Sequence, residues 1–270
     1  MVGFRRFDQL RYAAGIVEEI SMRIEVPDDW GDDSLTRFMG DAFRNCVATM
    51  TNFRRLPIIQ MLIKVNDLFF SANVIKCHPT EELLLPLFLG RAHSAYLGAA
   101  RFCTSGQVVE TYMVARGCLE NAVYSLFIQD DPTMKEEIPD RVRIWLDRAE
   151  SEAAGRECRQ TFSSANVFGN LAKHDKELAR KALKLYRIAI DRGAHPNFAG
   201  HLTTSRVSLD GGHIDFLIPG DNMVCKACIQ FTLQVGICTL KIFELAYGEK
   251  FASGGISEQI QGTEGLLEKV

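Results

Sequence analysis

Positive charge is not in surplus. The chain has 31 lysines and arginines against 34 aspartates and glutamates, which leaves a net charge of −3 at pH 7 and a sequence pI near 6.1. Constitutive nucleic-acid binding draws most of its affinity from neutralised phosphates, so that partner class is not favoured. A secretory leader is not expected either. The opening MVGFRRFDQLRYAAGIVEE alternates charged and apolar residues where a leader needs an unbroken apolar stretch. Long uncharged apolar runs are lacking too. The best spanning candidate, 225–247, carries Lys226, Gln230, Gln234, Lys241 and Glu244, each costly in hydrocarbon. It reads as a buried core helix, and no membrane partner is expected.

The motifs GxGxxG, GxxxxGK[ST], GxSxG and HExxH do not occur. Their absence counts against nucleotide-dependent dehydrogenases, P-loop enzymes, α/β serine hydrolases and zinc proteases. Neither an internal repeat nor a low-complexity tract is present. What is there is ordinary globular material: 270 residues, 47% of them apolar, with mean hydropathy −0.03. A chain of this size buries roughly 70–75% of its surface. Eight cysteines sit at 46, 77, 103, 118, 158, 225, 228 and 238, mostly inside apolar helical patterns. There a thiol behaves as a small hydrophobe, and a reducing cytoplasm is the expected setting. Cys225 and Cys228 form a lone CxxC at a helix start, read as two core thiols.

The periodicity is helical almost throughout. Phe7, Leu10, Ala14, Val17 and Ile20 mark one face of a helix over 4–24. Asp33 or Ser34 can cap a second helix running to about Leu56, and Pro57 suits the first turn of a third, to near Cys77. A fourth covers 80–104, with Pro86 kinking it or marking its true start, and Ser105-Gly106 ends it as a glycine cap. The pattern then predicts helices over 107–129, 136–161 and 175–192, with FSSANVFGN as the connection between the last two. TTSRVSLDGGHIDFLIP (203–219) departs from this, alternating apolar and polar residues around Asp-Gly-Gly. It predicts a small β-hairpin at about 203–218, laid on the helical body ahead of the last long helix. The expected fold is therefore all-α: a bundle of about eight helices in one domain over 1–250, with 251–270 as a flexible tail.

Tyr112, Arg116, Glu120 and Tyr124 lie four apart and make one polar ridge between apolar flanks. Arg116 and Glu120 can satisfy each other as an ion pair, either structural or lining a pocket. Arg91, on the preceding helix, could reach Glu110 or Glu120. His93, among apolar neighbours, reads as a hydrogen-bonded core histidine. In YRIAIDRGAHPN the helix ends near Gly193, where carbonyls favour positive charge. Asp191 could hold a ring nitrogen of His195, and Pro196 keeps that histidine out of the α conformation. Such a histidine serves as a general acid or base, or only as a cap. His195, His201 and His213 show no ligating spacing, so no metal is expected, and no cofactor.

Arg116-Gly-Cys-Leu-Glu120 follows a helix containing Arg91 and Ser94, and YRIAIDRGAHPN closes a later helix. In these stretches, over roughly 80–200, the chain resembles an all-helical bacterial family distantly related to HEPN domains, the helical bundles that bind nucleotides or cleave RNA. The resemblance implies a bundle in which Arg116, Glu120 and His195 point into a shared groove. HEPN ribonucleases carry an arginine four to six residues before a histidine, whereas Arg187 and Arg192 stand seven and two intervening residues before His195.

Candidate catalytic residues are His195, Arg116 and Glu120; candidate ligand-binding residues are Arg91, Tyr112, Asp191 and Arg192. The favoured function is a non-catalytic binding or regulatory module for a partner protein or small ligand. The alternative is a metal-independent HEPN-type ribonuclease or nucleotide-binding protein, with His195 as general base and Arg116 or Arg192 at the phosphate. Helix 225–247 could form a homodimer interface as easily as fill the core.

Overall fold

The computed structural model describes residues 26–75, 84–134, 138–194, 205–208, 213–216 and 222–267, and the structural statements below concern these. In chain order the helices are α1 (Ser34–Asn52), α2 (Pro57–Asn73), α3 (Leu84–Ser105), α4 (Val108–Gln129), α5 (Asp140–Asp147), α6 (Glu152–Thr161), α7 (Ser164–His174) and α8 (Lys176–Ala189). The last runs into a π-turn at Ile190–Ala194. After them come α9 (Asn222–Tyr247), α10 (Glu249–Ser253) and α11 (Ile256–Leu267). The all-α class expected from the periodicity is the class observed. The chain divides into two compact units, Met1–Asp41 and Ala42–Val270. The helix expected at 4–24 lies outside the described residues. In the first unit Asp33 caps α1, its Oδ1 accepting the Leu35 and Thr36 amides at 2.8 and 2.9 Å, donors that a helix start leaves open.

The core of the second unit is assembled on α2, α3, α4 and α9. Pro57 opens α2 with its φ already set and no amide to satisfy. Ile58, Met61, Leu62, Val65, Leu68, Phe69 and Ala72 follow at helical spacing and are buried. Each large side chain of this kind contributes about 1.5–3 kcal/mol on burial. Between α3 and α4, Gly106 takes φ +87°, a left-handed cap that glycine adopts without a Cβ penalty. The Gln107 amide folds back to the Phe102 carbonyl at 2.9 Å, and this tight reversal lays α4 antiparallel to α3. α9 packs on both and on α2. At Gly236 a Cβ would fall 2.6 Å from Tyr96 Cε2 and 2.7 Å from Val65 Cγ1, so glycine permits the crossing. Lys226–Tyr247 is long and apolar enough to cross a membrane, with hydropathy 1.3, yet 72% of that window is buried within the chain. It fills the core.

His93 ties α3 to α2. Asn73 Nδ2 donates to its Nδ1 at 3.0 Å, its Nε2 donates to Asn66 Oδ1 at 2.9 Å, and its ring stacks on Phe69 with centroids 5.4 Å apart. An amide donor on one nitrogen and a carbonyl acceptor on the other select the neutral ring.

Three stretches differ from expectation. In place of one helix over 136–161, the described residues there form α5 and α6, because the chain leaves the helical path after Arg148 and restarts where Ser151 Oγ accepts the Ala154 amide at 3.1 Å. FSSANVFGN is mostly helix. Its Ser163 accepts the Asn166 amide at 3.4 Å, and Val167, Phe168 and Leu171 bury one face, so a turn-like composition serves as a cap. Finally, residues 251–267, expected as a flexible tail, are largely helical, with Phe251, Ile256 and Ile260 buried. Glu264 there accepts from Lys181 of α8 and Lys241 of α9, both at 2.7 Å. Burial pushes its carboxyl up, but the two ammonium groups outweigh burial and hold it below 4.5. As for the hairpin, the described backbone is confined to Ser205–Ser208 and His213–Phe216, antiparallel with Ser205 opposite Phe216 and Ser208 opposite His213. Residues 209–212 and both flanks lie outside the described residues, and a hairpin laid on the helical body is not supported.

Burial depresses the His93 pKa below its ordinary 6.5. Below that value the unfolded chain takes up a proton that the folded ring resists, so stability falls as pH drops through 6.5 toward the folded value. Urea unfolding between pH 7 and pH 5 is expected to show this loss in the wild type and a flatter profile in His93→Phe. Parallel profiles would remove His93 as the cause.

Candidate functional site

α4 is a helix of two characters. Thr111, Ala115, Cys118, Leu119, Ala122 and Val123 are buried against its neighbours, while the ridge from Tyr112 to Tyr124 runs along the side that α8 approaches. Arg116 Nε stands 3.2 Å from Glu120 Oε1, with side chains 35% and 29% exposed. Burial pushes the Glu120 carboxyl above its ordinary 4.5, and the Arg116 charge and the Tyr186 hydroxyl of α8 only partly reverse that. Tyr124 one turn on is pushed up to about 12, by burial first and then by the negative charge of Glu120. Its ring belongs to an aromatic cluster with Trp145 of α5 and Phe162, at centroid separations of 5.4 and 5.3 Å. The ridge is therefore anchored at one end in packed rings and open to solvent in its middle.

At its other end the π-turn of α8 closes on α4. A Cβ on Gly193 would lie 2.7 Å from the Met113 amide nitrogen and 2.9 Å from Tyr112 Cβ, so the two backbones approach as only glycine allows. This brings Arg192 to Tyr112: its Nη1 donates to the Tyr112 hydroxyl at 3.1 Å, and its guanidinium carbon lies 5.6 Å from the ring centroid. Tyr112 is otherwise buried, with its ring 4.5 Å from that of Phe231 on α9. The π-turn thus carries Arg192 onto α4.

Arg116, Glu120, Tyr112 and Arg192 are thus brought onto one face between α4 and α8. Arg91 is exposed on α3 and, among the described residues, pairs with neither Glu110 nor Glu120. Asp191 is exposed beside Arg192. His195 and His201 lie outside the described residues, and His213 is described in its backbone alone. Tyr186 and Gly193 complete the face; the sequence marks Gly193 only as a helix end and Tyr186 only as the start of YRIAIDRGAHPN. Tyr186 flanks the buried positions Leu178, Ala182, Leu185 and Ala189, so amphipathic spacing marks it as a boundary residue. Nothing local names Glu120 as its partner. A separate polar contact joins α4 to α7, where Asp130 Oδ2 accepts from Asn170 Nδ2 at 2.5 Å and lies 2.6 Å from His174 Nε2. Among the described residues no three His, Cys, Asp or Glu side chains gather as a metal-ligand set. A cavity of about 420 Å³ lies elsewhere, lined by Pro57, Met61 and Lys64 of α2 and Leu266 of α11.

Chemically the face offers a cation–carboxylate–phenol chain that is satisfied internally and half open to water. Nucleophiles are not on offer from the buried thiols, since burial pushes Cys118 and Cys238 up to about 12, where the thiolate is scarce.

Gly193→Ala is expected to cost about 1–3 kcal/mol in urea unfolding, because the obstructing atoms are backbone and cannot rotate away; an unchanged midpoint would contradict the close approach. In Tyr186→Phe the Glu120 midpoint, followed by carboxyl NMR, is expected to rise, since the lost hydroxyl stabilised the carboxylate. A fall, or no change, would show that the hydroxyl does not reach it.

Comparison of the chain with protein-family models, with curated proteins and with solved structures finds no match in any of the three.

Proposed function

We propose that this chain is a non-catalytic helical module whose α4–α8 face binds a partner protein or a small ligand. The observation that carries the reading is the Arg116–Glu120 pair, 3.2 Å apart and about one-third exposed, with the Tyr186 hydroxyl favouring the Glu120 carboxylate. Groups fixed before a ligand arrives lose little freedom on binding it. A guanidinium engaged through one nitrogen still has donors for a carboxylate, phosphate or carbonyl. Buried, protonated thiols and an internally paired carboxylate support binding over chemistry. The distant HEPN likeness enters this reading as architecture, with the arginine–histidine spacing of the ribonucleases missing.

Structured RNA incubated with the wild type and with His195→Ala is expected to remain intact in both. RNA cut by the wild type and spared by His195→Ala would replace the binding reading with a nuclease that uses His195 as general base. In parallel, thermal unfolding against a panel of nucleotides, carboxylates and amines is expected to reveal a ligand that stabilises the wild type and fails to stabilise Arg116→Ala. Equal stabilisation of both proteins would move the binding site away from this face.

A further inference from the structure

A second surface lies at the corner where α1 ends and α2 begins. Within the unit Ala42–Val270, Phe43 is 63% exposed, Val47 44%, Phe53 42% and Leu56 48%. Phe43 and Val47 are four apart and share one ridge of α1. The helical bonding continues to Phe53, whose amide reaches the Thr49 carbonyl at 3.1 Å. Charge is lopsided here. Between Asp41 and Asp67 the sequence has Arg44, Arg54, Arg55 and Lys64 and no carboxylate, in a chain whose net charge is −3.

Four large apolar side chains exposed within residues 43–56 call for a partner, and the charge selects among partners. A second copy pairing through this stretch would bring four more cations and no carboxylate to the contact. Single-stranded nucleic acid would stack on Phe43 and Phe53 but leave Val47 and Leu56 in water. An anionic lipid surface answers both halves, with hydrocarbon for the four apolar groups and negative headgroups for the arginines. The 420 Å³ cavity begins at Pro57, directly after Leu56, and is lined by Met61, Ile63 and Leu266 together with Gln60, Lys64 and Asp67, so it adds apolar surface but no net positive charge.

We propose that the α1–α2 corner is a peripheral docking surface for anionic lipid, with Phe43, Val47, Phe53 and Leu56 entering the interface and Arg54 and Arg55 meeting headgroup charge. The contact is parallel to a bilayer and involves no spanning segment. It goes beyond the binding assigned to the α4–α8 face.

The full chain is sedimented with vesicles of phosphatidylcholine alone and of phosphatidylcholine mixed with phosphatidylserine, at physiological salt. Pelleting with the mixed vesicles alone is expected. Arg54→Gln and Arg55→Gln should each weaken it about fivefold, and Phe43→Asp should abolish it. Circular dichroism checks that each variant is folded; the two arginine variants remove no apolar group and keep the test decisive if Phe43→Asp unfolds. No pelleting, equal pelleting with neutral vesicles, or undiminished pelleting of the arginine variants would overturn the proposal. Retention of single-stranded RNA that Arg54→Gln loses would overturn it in favour of nucleic acid. A light-scattering dimer that Phe43→Asp dissociates would overturn it in favour of a second copy.

Discussion

Backbone meets backbone where the end of α8 reaches α4, and the candidate site depends on that contact. Gly193 lets the π-turn approach Tyr112 and Met113 more closely than any side chain would permit. Arg192 is carried to the Tyr112 hydroxyl by the same approach. Tyr112 is itself fixed by Phe231 of the core helix α9. The position of a half-exposed arginine is thereby set by the core, through one glycine and one buried ring. Rotamer freedom that a surface arginine would otherwise keep is already given up before any ligand is present.

Electrostatics along α4 follow from the same packing. Burial raises Glu120 and Tyr124, and the Glu120 charge makes Tyr124 harder still to ionise. Arg116 and Tyr186 answer this from the solvent side and from α8. The resulting set is a carboxylate steadied by one cation and one phenol. In an environment only partly screened by water its interactions are stronger than those of a fully exposed pair of the same spacing.

Much of the helical framework is legible in the residues because local chemistry and tertiary need agree there. Pro57 starts α2 and Gly106 stops α3 for reasons that hold in any context. Four-residue spacing is enough to place Arg116 beside Glu120. Legibility fails where a local signal has two uses. Ser163 and Asn166 read as turn formers but cap α7, whose apolar face is short and becomes visible only when Val167, Phe168 and Leu171 are packed. Ser151 restarts a helix inside a pattern that looks continuous. Gly, Ser and Glu from Ser253 onward suggest a loose end, yet Phe251, Ile256 and Ile260 find the core. Tyr186 could not be matched to Glu120 from sequence, because that pairing exists only once α8 lies against α4.

Glu264 holds two lysines from helices far apart in sequence, and it does so from the last described helix. The turn before it, Gly254-Gly255, has Gly255 at φ +66°. Scission there would leave α11 attached through its two ion pairs and the buried Ile256 and Ile260 rather than through the covalent chain. The severed segment would behave as a bound peptide, released by salt and by dilution, and a gel under denaturing conditions would report damage that the folded protein conceals.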